Sequence, residues 1–271
     1  MYSDAADNKG VEGTSLVGAE RTLSVLLLFA RPDHSSWGVS EIGRELGLAK
    51  GVVHRIVATL CLKGLLEQIP SNRRYRLGAV AWALGQAYAQ HIDIRGLARE
   101  PMRQLCDKSG ETVSLAIRSG FTRLYVESMV PNRAITLTAT IGEAVPLHAG
   151  AAAKAFLAFI APEERDAYLS RELVAMTDQT PVEVDRLRAE VELIRGQGYA
   201  VSLGERIAGV GAVAAPVLND GGEPVVVLCV GGPLDRIRTH VDEIAGLLLT
   251  ETAALSRRIG NVGPESASSL G

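Results

Sequence analysis

Residues 39–64 read VSEIGRELGLAKGVVHRIVATLCLKG, and their spacing decides how the first third of the chain folds. Ser40 stands where an N-cap stands, Glu41 complements the positive end of a helix, and Ile42 and Leu46 share one face until Gly47 stops it. Beyond Leu48-Ala49-Lys50, the residues Val53, Ile56, Val57 and Leu60 recur at i, i+3, i+4, i+7, which predicts a second amphipathic helix closed at Gly64. Two short helices around a tight turn predict a helix-turn-helix. Upstream, Leu23, Leu26, Leu27 and Ala30 carry the same period and predict a first helix, stopped by Arg31-Pro32-Asp33. Downstream, residues 65–69 and 74–77 read as strands joined by Pro70-Ser71-Asn72-Arg73, a hairpin placed as a wing. Residues 79–89 hold Val80, Trp82, Leu84 and Tyr88 among alanines, so this helix is apolar nearly all round and is expected to pack between domains or subunits.

In such folds the start of the second helix enters the major groove, so Lys50, Gly51, Val52, His54 and Arg55 are the candidates to reach DNA, with Ser40 beside them. Arg55 can pair with guanine or a phosphate, Lys50 with a phosphate, and Val52 can pack on a thymine methyl. Arg73, Arg74 and Arg76 flank Tyr75 on the hairpin and add phosphate or minor-groove contacts. Taken alone, the helix residues could equally be the solvated face of a core helix. The three wing arginines favour DNA.

Charge supports that division. The net charge of −3 splits into −2 over residues 1–16, +4 over 17–91 (nine Lys/Arg against five Asp/Glu) and −5 over 92–271 (18 against 23). Only the first folded segment has the sign that phosphate requires.

Beyond Asp93 the sequence reads as a separate α+β unit. Val113/Leu115/Ile117, Leu124/Val126 and Ile135/Leu137/Ala139 alternate with polar residues, as antiparallel strands with one wet face do. A helix rich in small residues starts near His148 and runs to Phe159, with further helices at about 163–170 and 183–196. Strands at about 210–218 and 224–230 flank Asn219-Asp220-Gly221-Gly222, and a helix from Thr239 to Ile259 closes the unit. Gly150, Ala151, Ala152 and Ala153 offer backbone N–H groups without bulky side chains, which suits an anion at a helix start. The same small residues also suit close packing on a sheet, and the residues alone leave both open.

No GxSxG, GxxxxGK or HExxH motif occurs, and His34, His54, His91, His148 and His240 lack metal-ligand spacing. His148 is expected to serve capping or packing. Cys61, Cys106 and Cys229 are far apart and read as reduced core residues, without a metal site or a disulfide framework. The polar, Gly-rich first residues and the lack of a long apolar run lead us to expect a cytoplasmic chain without membrane contact, and no cofactor.

The segment from Glu20 to Gly78 resembles the DNA-binding module of the IclR family of bacterial transcriptional regulators. The resemblance rests on Val39-Ser40-Glu41-Ile42-Gly43, Leu46-Gly47-Leu48-Ala49-Lys50, Val53-His54-Arg55 and Tyr75-Arg76-Leu77-Gly78. It continues through Gly110-Glu111-Thr112-Val113, Val145-Pro146-Leu147-His148-Ala149, Lys154-Ala155-Phe156-Leu157-Ala158, Gly198-Tyr199-Ala200, Ala214-Ala215-Pro216-Val217 and Gly231-Gly232-Pro233. One departure is Gly51-Val52, where a Ser-Thr pair is common in the family.

The resemblance implies an α+β fold: an N-terminal winged helix-turn-helix and a GAF-like antiparallel-sheet domain that binds a metabolite, joined by a linker helix. It places the effector pocket at Gly150, Ala151 and Ala152 together with Ser202, Ala212, Cys229 and Gly231. Members that bind small keto acids have an Asp, a Cys and two Ser at the last four positions, so a less polar pocket and a bulkier, more apolar acid are expected. Cys229 read from burial habit alone is a core residue.

The expected organisation is an arm over 1–16, the winged helix-turn-helix over 17–78, a linker helix over 79–91, the effector domain over 92–260 and a tail over 261–271. The expected partners are double-stranded operator DNA, a small-molecule effector, probed best as a carboxylate, and further copies of the chain in a homodimer or a dimer of dimers. The expected function is a non-enzymatic repressor or activator under metabolite control. A DNA-tethered enzyme acting on a small carboxylate or ester is the alternative.

Overall fold

The computed structural model describes residues 16–31, 34–90 and 94–260, in two compact units divided between Ile94 and Arg95. The expected arm, the tail, Pro32-Asp33 and the end of the linker helix fall outside the described residues, apart from Leu16.

In the first unit the chain runs α1 (Val17–Leu28), α2 (Val39–Leu46), α3 (Lys50–Leu62), β1 (Leu66–Gln68), β2 (Tyr75–Leu77) and α4 (Ala79–Gln90). Val53, Ile56, Val57 and Leu60 of α3 are all buried, against Ile42 of α2 and Val25, Leu28 and Phe29 at α1. The α1 face is therefore one position round from the expected one: Leu23 and Leu27 are 58% and 42% exposed while Val25 and Leu28 carry the core. Between α2 and α3, Gly47 takes φ 63° and closes α2, a conformation that costs only glycine little. The N-cap of α2 is Gly38, whose N–H is bonded at 3.0 Å by Glu41 Oε2, so Ser40 is a helical residue and not the cap. β1 and β2 pair antiparallel, Leu66 opposite Leu77, and Trp37 bridges to Tyr75 at the hairpin's flank.

The second unit contains α5 (Ile94–Ser109), β3 (Thr112–Ser119), β4 (Thr122–Met129), β5 (Ala144–Pro146), α6 (Ala151–Phe159), α7 (Pro162–Leu169), α8 (Val184–Gln197), β6 (Ala200–Leu203), β7 (Val210–Leu218), β8 (Pro224–Pro233), α9 (Leu234–Thr239) and α10 (Val241–Gly260). Its six strands form one antiparallel sheet in the order β5-β4-β3-β8-β7-β6. Ala116, Tyr125, Ala200, Ala214, Val227 and Cys229 turn one face of the sheet towards α6 and α8. The opposite face is covered by α9 and α10: Gly211 lies so close to Ile237 that a Cβ there would come within 2.7 Å of it.

Three expectations are corrected here. Residues 135–139 form no strand, because β4 pairs with β5 through Thr122–Leu124, and the segment between them instead lies over the α6 face, held by Thr112 Oγ1 donating to the Leu137 carbonyl. In β4 the buried residues are Arg123 and Tyr125, whereas Leu124 and Val126 are only half-buried. The closing helix is broken at His240, so Thr239 belongs to α9.

Candidate DNA interface and effector cavity

In the first unit, the start of α3 presents Lys50, Gly51, His54 and Arg55 to solvent, with Val52 half-buried. A concave surface between α2, α3 and the hairpin is lined by Ser40, Arg44, His54, Gln68, Arg73 and Tyr75. It joins three expected DNA contacts, Ser40, His54 and Arg73, with Arg44, which the sequence reading passed over. Arg73 projects from the hairpin tip at φ 56°, and Arg76 is exposed but paired with Glu67 at 2.5 Å.

Arg74 has a different task from the one expected. Its Nη1 and Nη2 donate to the two carboxylate oxygens of Glu41 at 2.9 and 2.8 Å, and its Nε and Nη2 reach the Ser36 hydroxyl and carbonyl at 2.9 and 2.7 Å. Four of its five N–H groups are spent inside the unit, on a tie that fixes the wing to the start of α2. The Arg74 hydrogen bonds and the Gly38 N–H hold the Glu41 carboxyl below the usual carboxylate range.

In the second unit, all seven expected effector residues reach one cavity on the α6 face: Gly150, Ala151, Ala152, Ser202, Ala212, Cys229 and Gly231. The covering segment contributes Leu137, Thr138 and Ala139, and the β6–β7 turn contributes Arg206 and Ile207. Pairing explains the convergence, since Ser202 is opposite Ala212, Ala212 opposite Gly231 and Ser114 opposite Cys229 across β6, β7, β8 and β3.

Two details of the expected pocket change. Gly150, at φ 91° and ψ 159°, is the N-cap of α6, but its N–H is directed to Glu205 Oε2 at 3.3 Å and is not a bare donor for a ligand. Glu205 in turn binds Lys154 Nζ at 2.6 Å, and Lys154 also binds Glu190 at 2.9 Å. The space that Gly231 leaves is taken by Leu137, whose Cδ2 would sit 3.1 Å from a Cβ there. Cys229 is buried in the cavity wall, accepts the Tyr125 hydroxyl at 3.4 Å, and burial pushes its thiol up.

The sequence reading missed the cavity's charged groups. Arg123 is 2% exposed, its guanidinium lies 3.8 Å over the Tyr125 ring, and its Nε and Nη1 find no hydrogen-bond partner among the described residues. Arg206 donates through Nη2 to Glu143 at 2.5 Å while its buried Nε is unpartnered. Only the i, i+2 placement of Arg123 and Tyr125 on one strand could have signalled this face.

His148 is not part of the cavity wall. Its Nδ1 is 2.6 Å from the Tyr168 hydroxyl and its Nε2 is 3.0 Å from the Val174 carbonyl, a pairing that fits the neutral ring, and burial lowers its pKa. Among the described residues no group of three or more His, Cys, Asp or Glu could hold a metal ion, and no helix is long and apolar enough to cross a membrane.

Comparison with known proteins gives a consistent picture. The family model for the bacterial transcriptional regulator IclR C-terminal domain matches residues 86–257, and that for the IclR helix-turn-helix domain matches residues 18–70. The HTH-type transcriptional regulator KipR of Bacillus subtilis is 34% identical over 200 residues, 73% of this chain and 79% of its own. The crystal structure of an IclR-type regulator from Alicyclobacillus acidocaldarius superposes with a TM-score of 0.80 at 26% identity, covering 90% of this chain and 99% of that one. An IclR homologue from Microbacterium hydrocarbonoxydans, crystallised with 4-hydroxybenzoate, shares the fold at a TM-score of 0.77 and 24% identity, covering 89% and 98%.

Proposed function

Because the chain belongs to the IclR family of transcriptional regulators, with a helix-turn-helix unit followed by an effector-binding domain, we propose that α3 reads an operator whose affinity is set by an organic carboxylate in the α6 cavity. The observation that carries this reading is the convergence of seven scattered residues on one enclosed cavity, in a unit separate from the one that exposes Lys50, Gly51, His54 and Arg55. Its mechanism is linkage: a ligand that prefers one arrangement of the assembly must change DNA affinity by its differential binding, typically about 1–3 kcal/mol. The placement of His148 away from the cavity wall favours a regulator over a DNA-tethered enzyme.

Two substitutions test the DNA half. Arg55→Ala is expected to weaken operator binding by about 1–3 kcal/mol and relax preference at one base, with the melting temperature unchanged. Arg74→Ala is expected instead to loosen the wing, lowering stability by about 1 kcal/mol, since the Glu41 pair is about one-third exposed, and weakening all DNA sequences alike. Footprints on the DNA upstream of the gene, together with melting curves, separate the two. Identical footprints for the native chain and Arg55→Ala would sink the assignment of α3 as the reading helix.

The functional unit on this reading is at least a homodimer, and possession of two reading helices gives the half-site spacing of one or more helical turns that operators of this kind show. The support is α4, where Val80, Trp82 and Leu84 are 39%, 71% and 59% exposed on an apolar helix. Trp82→Glu is expected to shift the species seen by light scattering at micromolar concentration to a monomer. A native chain that scatters as a monomer and protects a single half-site would contradict the proposal.

A further inference from the structure

Arg123 heads the fully buried side chains by volume, and among the described residues nothing uses two of its three nitrogens. A buried N–H without a partner forfeits its hydration for nothing, and a buried charge without a counter-ion costs more. Tyr125 covers one face of the guanidinium and compensates only in part. The charges around it do not cancel. Arg206 is close enough to repel it, and Glu143 is committed to Arg206. Glu205, towards α6, is committed to Lys154 and the Gly150 N–H. Two cations and one matched carboxylate leave one uncompensated positive charge in the cavity wall.

We propose, building on the effector-cavity reading above, that Arg123 is the anchor for the ligand's anionic group and that the ligand is a monocarboxylate with an apolar body. One negative charge neutralises the cavity, whereas a dianionic phosphate would leave an excess. A planar carboxylate can accept from both unpaired nitrogens of Arg123, with the unpaired Nε of Arg206 as a further donor. The remaining wall around Leu137, Ala139, Ile207, Val210 and Ala212 offers apolar surface for the body of the molecule. Arg123 is then a specificity-determining residue, and the ligand relieves a cost that the protein carries without it.

The two-unit chain tests this by thermal melting and calorimetry with benzoate, 4-hydroxybenzoate, phenylacetate and hexanoate, each beside its amide, and with inorganic phosphate. At least one acid is expected to raise the Tm while its amide does not. Arg123→Met is expected to melt at or above the native chain without any probe, because removing an unpaired buried charge relieves strain, and to bind that acid at least ~30-fold more weakly.

A merely structural arginine would do the opposite, and an Arg123→Met chain that melts clearly below the native one overturns the proposal. So does an acid that binds the variant as well as the native chain, an amide as effective as its acid, a Tm rise from phosphate alone, or no response of the native chain to any of the four acids. Should Arg123→Met fail to fold, Arg123→Lys decides: it keeps the charge without the planar array and is expected to bind at least ~10-fold more weakly, so unchanged affinity overturns the assignment. Operator binding read on the same samples keeps the two readings apart, since a native chain that ignores DNA refutes the regulator while the melting data still judge Arg123.

Discussion

Lys154→Met should cost the second unit about 3–5 kcal/mol of stability, the largest loss expected from any substitution away from the hydrophobic core. Lys154 is 2% exposed in the middle of an alanine-rich helix, and its ammonium is held by Glu205 at 2.6 Å and Glu190 at 2.9 Å. Methionine fills the same volume, so packing is little disturbed, but Glu205 is left as a buried carboxylate without its cation. Glu205 cannot swing out to water, because its carboxylate also caps the Gly150 N–H and its backbone carbonyl accepts the hydroxyls of Thr177 and Thr180. Removing both charges together, in Lys154→Met with Glu205→Gln, is expected to recover much of the loss, which is the signature of a coupled pair. Urea denaturation of the four proteins in the cycle measures it. A single variant within about 1 kcal/mol of the native chain would show that the buried ion pair contributes little.

The helix-turn-helix was legible because α2 and α3 each place apolar residues on one face and end at a glycine, so period and punctuation agree. The face of α1 was not, for a reason visible in its residues. Leu23, Leu26 and Leu27 and the set Val25, Leu28 and Phe29 both follow i, i+3/i+4 spacing, and hydrophobicity alone does not choose between them when Leu23 and Leu27 are left in solvent and Leu26 packs at the edge of the core. Arg74 was misread for a similar reason: a row of arginines on a hairpin looks alike in sequence, and only the position of Glu41 at the start of α2 singles one out.

β4 shows the sharper failure. The rule that apolar residues face inward selects Leu124 and Val126, and it fails because the inner face at this point lines a cavity where Arg123 and Tyr125 are the buried pair. The positions around α6 were found through family resemblance and not through physics, since a run of glycine and alanines suits close packing as well as ligand binding. Bare donors were expected at Gly150, Ala151, Ala152 and Ala153, and for the first of them, Gly150, the chain supplies its own anion in Glu205. On the proposal made above, the anion-binding group lies on a strand and not at the helix start, where the alternation of Arg123 and Tyr125 is the one sequence signal.

Ala151→Leu is expected to abolish the effector response while operator binding without effector survives. Ala151 is the first residue of α6, is 2% exposed and lines the cavity opposite the covering segment around Leu137. The added side chain has no route to solvent and must enter the cavity, at a cost of about 1–3 kcal/mol in overpacking. Arg123 and its charge remain in place, so this variant tests the space for the ligand's body where the arginine variants test its head. The residues proposed to read the operator lie in the other unit, which has its own core of Val53, Ile56, Val57 and Leu60, and this is why DNA binding should persist. Operator affinity is titrated with whichever acid raises the Tm of the native chain. A normal response from a folded Ala151→Leu chain would mean that the effector binds away from α6, and loss of operator binding without effector would mean that the two units do not keep their functions separate.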